Sequence, residues 1–155
     1  MRTTLLVVHV LGAIVALGFS LSYALWIGRG EAAGGSERAF ALQTVSWIDR
    51  RVTTPAFVLQ LVTGMLLVAV TDWGRLRQTW LAVSLALYVA LTALAITKFA
   101  PAHRAQTAIA LRAIGGDDIE PEYAHARAAS RRWGVVVTTL TVVIAVLMVW
   151  KPDGS

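Results

Sequence analysis

Cysteine is absent from this 155-residue chain. That excludes disulfides, thiolate metal sites, iron–sulfur clusters and a cysteine nucleophile together. It leaves the compartment open, because neither face of a membrane demands cysteine. Charge is scarce as well: 15% of residues are Asp, Glu, Lys or Arg, where a soluble domain carries about 25%. Histidine is limited to His9, His103 and His125. No nucleophile–base pair and no metal-ligand set can be assembled from what remains, so the expectation is a protein that is not an enzyme. The net charge is +5, yet no basic stripe interleaved with aromatics would track a nucleic-acid strand, and no nucleic-acid partner is expected.

What the chain does have is apolar length. It is 57% hydrophobic with a mean hydropathy of +0.65. Four runs carry this: Leu5–Ile27, Pro55–Val70, Leu81–Ala95 and Val135–Val149. Trp26, Trp47, Trp73, Trp80, Trp133 and Trp150 all fall at or near the ends of these runs. Indole rings favour the membrane–water boundary, which takes both the apolar ring and the N–H. A hydrocarbon core about 30 Å thick needs about 20 helical residues per crossing. The reading is an all-α, four-helix transmembrane bundle in one domain, 1–155, with spans at about 4–28, 54–71, 79–98 and 133–150. Two cytoplasmic helical extensions complete it. The first run is longer than a secretory h-region, so an uncleaved first span is expected.

Small residues recur every fourth position in the first span: Gly12, Ala16, Ser20, Ala24 and Gly28. Helices in lipid associate by close backbone approach through such residues, so this stripe is expected to be a packed face. Gln60, Thr63 and Gly64 form a polar, tightly packing patch on the second span. Thr138, Thr141 and Ala145 do the same on the fourth. A glycine-rich turn is expected from Gly28 to Gly35, with Ser36 as N-cap of an amphipathic helix Glu37–Arg51. Pro55 should kink or restart that helix, Pro101 should end the third span, and His103–Ile114 should form a second helix outside the membrane. The acidic group Asp117, Asp118, Glu120 and Glu122 reads as loop and cap chemistry, with one Glu-x-x-His pair to His125. Ten of the fourteen Lys and Arg residues fall on the side of the two longer loops, and four (Arg2, Arg75, Arg77, Lys151) on the side of the termini. The positive-inside rule then places both termini outside the cytoplasm.

His9 is the ionisable side chain well inside a span, and it shares the helix face of Gly12 and Ala16. Two readings stay open. One is a neutral imidazole tying neighbouring helices together. The other is ligation of haem b, in which Met65, Met148 or His9 of another copy supplies the second ligand, because His103 and His125 lie about 30 Å away across the core.

Several stretches resemble one bacterial family: Trp47-Ile48-Asp49-Arg50, Thr54-Pro55-Ala56, Val62-Thr63-Gly64, Thr79-Trp80-Leu81-Ala82-Val83-Ser84-Leu85, Glu122-Tyr123 with Arg131-Arg132-Trp133, and the terminal Leu147-Met148-Val149-Trp150-Lys151-Pro152. These are the small integral membrane proteins of domain of unknown function 2269, which also carry a histidine and a glycine in span one, as His9-Val10-Leu11-Gly12 does here. The resemblance implies the four-span topology and a bacterial plasma membrane. More loosely, His9 with Lys151-Pro152 is similar to the four-helix copper-resistance membrane domain and the haem-linked protoporphyrinogen oxidase. Span three lacks the Trp-x-x-x-Lys-Leu pattern of that oxidase. The leading functional expectation is a non-catalytic protein of the lipid bilayer that self-associates as a homo-oligomer or serves a larger membrane complex. The alternative is a haem- or porphyrin-linked redox protein using His9. A transporter ranks third, since one internal ionisable group offers no charged pathway.

Overall fold

The computed structural model describes residues 2–71, 74, 78–116 and 120–151. They form α1 Arg2–Ala33, α2 Gly35–Ile48, α3 Thr54–Thr71, α4 Thr79–Leu94, α5 Ala100–Ile114 and α6 Glu120–Trp150. No strand occurs among the described residues. Two five-residue π-helical turns, Asp49–Thr53 and Ala95–Phe99, join α2 to α3 and α4 to α5. The result is four apolar rods of 32, 37, 36 and 31 residues. Each exceeds the roughly 20 residues that one crossing needs.

The π turns explain how two prolines sit inside continuous rods. A proline ring clashes with the carbonyl four residues back and offers no N–H. For Pro55 and Pro101 those carbonyls belong to Arg51 and Thr97, and both lie within the π turns. The wider turn opens the space the ring needs. The expected stop at Pro101 is therefore corrected: the helix continues to Ile114.

The expected turn over 28–35 is also corrected. Residues 29–33 contain nothing that breaks a helix once Gly30 finds a packing partner, and α1 runs on to Ala33. The reversal is confined to Gly34 and Gly35, with φ of +75° and +48°. That conformation is cheap only for glycine. Ser36 is not the N-cap; it lies in the first turn of α2, its hydroxyl 3.2 Å from the Glu37 carboxylate.

Packing differs sharply along the rods. At one end α1, α2, α5 and α6 meet around Ala39, Leu42, Ile109, Ala110 and Tyr123, all buried. Beyond this core the rods separate into two pairs. There α1 lies along α3, α4 lies along α6, and α1 touches α6 over a short stretch, while the backbones of α3 and α4 stay apart and are bridged by Tyr88, whose ring meets Phe57 edge-on. The outer surface is apolar, with Leu25 and Val149 exposed at 72% and 85%. An exterior this greasy has lipid as its solvent.

The tryptophans divide. Trp26, Trp47 and Trp150 are exposed on the rods. Trp133 lies between the Lys98 and Arg132 cations, at 6.0 and 5.2 Å. Trp80 is buried. Trp73, Arg75 and Arg77 lie outside the described residues.

Candidate functional site

The site begins with the close approach of α1 and α3. Gly12 and Ala16 are buried, Ser20 is half-buried, and Ala24 and Gly28 are exposed. The reason is geometric. Four residues overshoot one 3.6-residue turn by about 40°, so a strict four-residue stripe winds off a straight helix face. The buried line instead runs Gly12, Ala16, Tyr23, Gly30. Ala24 and Gly28 fall outside the packed face of this chain.

At the level of Gly12, His9 meets α3. Its Nδ1 lies 2.9 Å from the Thr63 hydroxyl. That hydroxyl donates to the Leu59 carbonyl at 2.7 Å, so its oxygen accepts from Nδ1–H, which assigns the tautomer. The ring edge rests against Gly64, where an added Cβ would stand 3.2 Å from His9 Cε1. Gln60 faces Gly12, and an added Cβ there would stand 3.2 Å from its Oε1. That Oε1 is buried without a hydrogen-bond partner. Gln60 and Gly64 are thus placed beside Gly12 and His9.

Between the two helix pairs opens a cleft of about 480 Å³, which is of ligand-pocket size. His9, Gln60 and Gly64 line one wall, and Ser84, Tyr88 and Thr141 another. Met65 and Met148 line it too, so the cleft gathers the histidine and both thioethers. Most of its hydroxyls are already committed. Ser84 donates to the Trp80 carbonyl at 2.7 Å, Thr141 to the Val137 carbonyl at 2.8 Å and Tyr88 to the Phe57 carbonyl at 2.6 Å. The first two are back-bonds to the preceding turn and the third reaches from α4 to the backbone of α3; in lipid, polar side chains are satisfied in such ways. Two polar atoms on the wall stay unpaired and buried: Gln60 Oε1 and Trp80 Nε1.

A second polar group lies at the far end of α1. Glu31 accepts from Tyr123 Oη and from Gln106 Nε2, the latter at 3.1 Å. Its other oxygen lies 3.4 Å from Arg127 Nε and 3.9 Å from Arg38 Nε. Arg38 also covers the Tyr123 ring at 4.5 Å and reaches Glu120 at 3.4 Å. Burial, then the Glu31 carboxylate, pushes the Tyr123 hydroxyl up to about 12. One carboxylate therefore ties together α1, α2, α5 and α6.

Nearby, Tyr23 Oη bonds Thr53 Oγ1 at 2.6 Å across α1 and the first π turn. His103 is buried, stacked on Phe99 at 5.7 Å, with neither ring nitrogen hydrogen-bonded. Burial holds its pKa below the ordinary histidine value. Of the acidic group, Glu120 pairs with Arg38 and Glu122 with Arg112. Asp117 and Asp118 lie outside the described residues.

Glu31 carries no mark in the sequence because a turn over 28–35 hides a buried helical face, Gln106 carries none either, and Tyr123 enters only through the resemblance of Glu122-Tyr123. The signal was present in Tyr23 and Gly30, which continue the buried line at steps of seven.

The family described as Predicted integral membrane protein (DUF2269) matches residues 3–152. The chain belongs to this family. Among curated proteins and among solved structures, nothing matches it. Membership makes the four long apolar rods those of an integral membrane protein, with lipid as their surroundings. It assigns no activity to the cleft.

Proposed function

We propose that this family member is a non-catalytic membrane protein that holds an apolar molecule between its two helix pairs. The observation that carries this reading is the cleft itself: a wide, mostly apolar space at membrane depth, with two unpaired polar atoms on its wall. Exposed Ala24 and Gly28 leave a small-residue surface for a second copy or a larger membrane complex. The setting is a bacterial plasma membrane with both termini outside. Arg29, Arg38, Arg104, Arg112 and Arg127 all belong to the end where α1, α2, α5 and α6 meet, which supports a cytoplasmic location for that end. A reporter fused after Ser155 is then active outside the cytoplasm and one inserted at Gly115 inside. The reverse pattern sinks this orientation.

A second reading is favoured by one observation. Thr63 holds His9 through Nδ1, and His9 lines the same cleft as Met65 and Met148. Histidine and thioether suit haem b ligation, with Thr63 fixing the ring from behind. Purified protein separates the two readings. The first expects no Soret band and an apolar molecule recovered by solvent extraction at about one per chain. It also expects His9→Gln to be tolerated better than His9→Leu, which strips Thr63 of its partner at a cost of about 1–3 kcal/mol. A Soret band that vanishes in His9→Ala establishes haem instead. Neither a chromophore nor an extractable molecule would defeat both.

A further inference from the structure

We propose that the cleft is a slot for one acyl chain of an anionic phospholipid, whose phosphate sits at the mouth between Arg2, Lys151 and Trp80. The inference rests on the reading that the cleft holds an apolar molecule, and it names that molecule's class.

The shape points to a single chain. On α3 the lining extends from Phe57 to Thr71, and on α4 from Trp80 to Leu91. At 1.5 Å per residue these stretches measure about 21 and 16 Å. The hydrocarbon of one leaflet is about 15 Å deep. The slot therefore runs along one leaflet in the direction its lipids lie. A volume of about 480 Å³ along this length gives room for an acyl chain.

The mouth points to the headgroup. Arg2 begins α1 and Lys151 follows α6, so both stand at the end where the termini lie. Both line the cleft, and no carboxylate lines it among the described residues. Lys151 Nζ stands 5.8 Å over the Trp80 ring. Trp80 is 8% exposed, and its Nε1–H has no partner. A buried indole N–H normally finds an acceptor. A phosphate held by the two cations supplies one once the indole turns its N–H toward the mouth, with charge-assisted geometry. The greasy end of the slot and its cationic end thus match the two ends of one molecule.

The test is native mass spectrometry of the detergent-purified chain with equimolar phosphatidylglycerol and phosphatidylcholine of identical acyl chains. Wild type is expected to retain one lipid and to favour phosphatidylglycerol about tenfold at low salt, with the preference falling as salt rises. Arg2→Gln/Lys151→Gln, which alters two exposed side chains, should keep the lipid and bring the two species near parity. Ala145→Phe should block the slot and remove both adducts; if it does not fold, Leu61→Trp makes the same test from the opposite wall. Equal retention by wild type overturns the headgroup assignment and leaves the cleft reading standing. A neutral ligand held through Gln60 and His9 would give that result. A preference that survives the double substitution overturns the site. Complete displacement of phosphatidylglycerol by equal oleate overturns the phosphate in favour of a carboxylate. No adduct of any kind overturns the slot and the cleft reading together.

Discussion

Glu31→Leu is expected to lower the thermal unfolding midpoint in detergent further than any other charge removal in this chain. The Glu31 side chain is 9% exposed and answers four groups at once: Tyr123, Gln106, Arg38 and Arg127. Leucine fills the space and leaves the Arg38 guanidinium, itself 17% exposed, without that carboxylate. It also leaves Gln106, 2% exposed, and Tyr123 short of an acceptor. Removing one partner from a buried ionic network costs about 3–5 kcal/mol. Arg127 is 53% exposed and water compensates its loss, so about 3 kcal/mol is the better expectation. Glu31→Gln keeps an acceptor for Tyr123 and Gln106 and should lose about half as much. Glu120→Leu removes a carboxylate that is 73% exposed and should change little. If Glu31→Leu and Glu120→Leu melt together, the node at the end of α1 holds nothing.

The four apolar rods were legible because the bilayer constrains composition directly: a crossing must be long, apolar and helical. The pairing of those rods was not. Four greasy helices can associate in several ways, and only packing chooses α1 with α3 and α4 with α6. The cleft follows from that choice, so no local pattern announced it. His9, Gln60 and Gly64 could be picked out singly, since each is unusual in an apolar run. Their meeting with Met65 and Met148 across one space required the fold. Trp80 reads at first as a boundary residue by its position, yet it is buried on the cleft wall. Pro101 read as a stop because a π turn leaves no mark in the sequence, although it decides whether a proline breaks a helix or rides within it.

Gly30→Ala is expected to destabilise the protein where Gly18→Ala does not, although both put one methyl group into α1. Glycine within a helix normally costs about 0.5–1 kcal/mol relative to alanine, so substitution alone should help at both sites. Space reverses the sign at Gly30. A Cβ built there stands 2.5 Å from the Ala41 Cβ and 3.2 Å from the Glu37 carbonyl oxygen. Those atoms are the root of a side chain and the backbone of α2, and neither can swing aside. The two helices, joined through Gly34 alone, would have to part where Ala39 and Leu42 begin the buried core. Overpacking of this kind costs about 1–3 kcal/mol, and it also tilts Glu31 away from Tyr123. A Cβ at Gly18 meets nothing within 4 Å. Thermal unfolding in detergent should therefore show Gly30→Ala several degrees below wild type and Gly18→Ala at or slightly above it. The pair Gly30→Ala/Ala41→Gly makes the argument specific, because it removes the nearest obstructing carbon and should recover part of the loss. If the double variant melts no higher than Gly30→Ala, the clash with Ala41 is not what sets the α1–α2 approach.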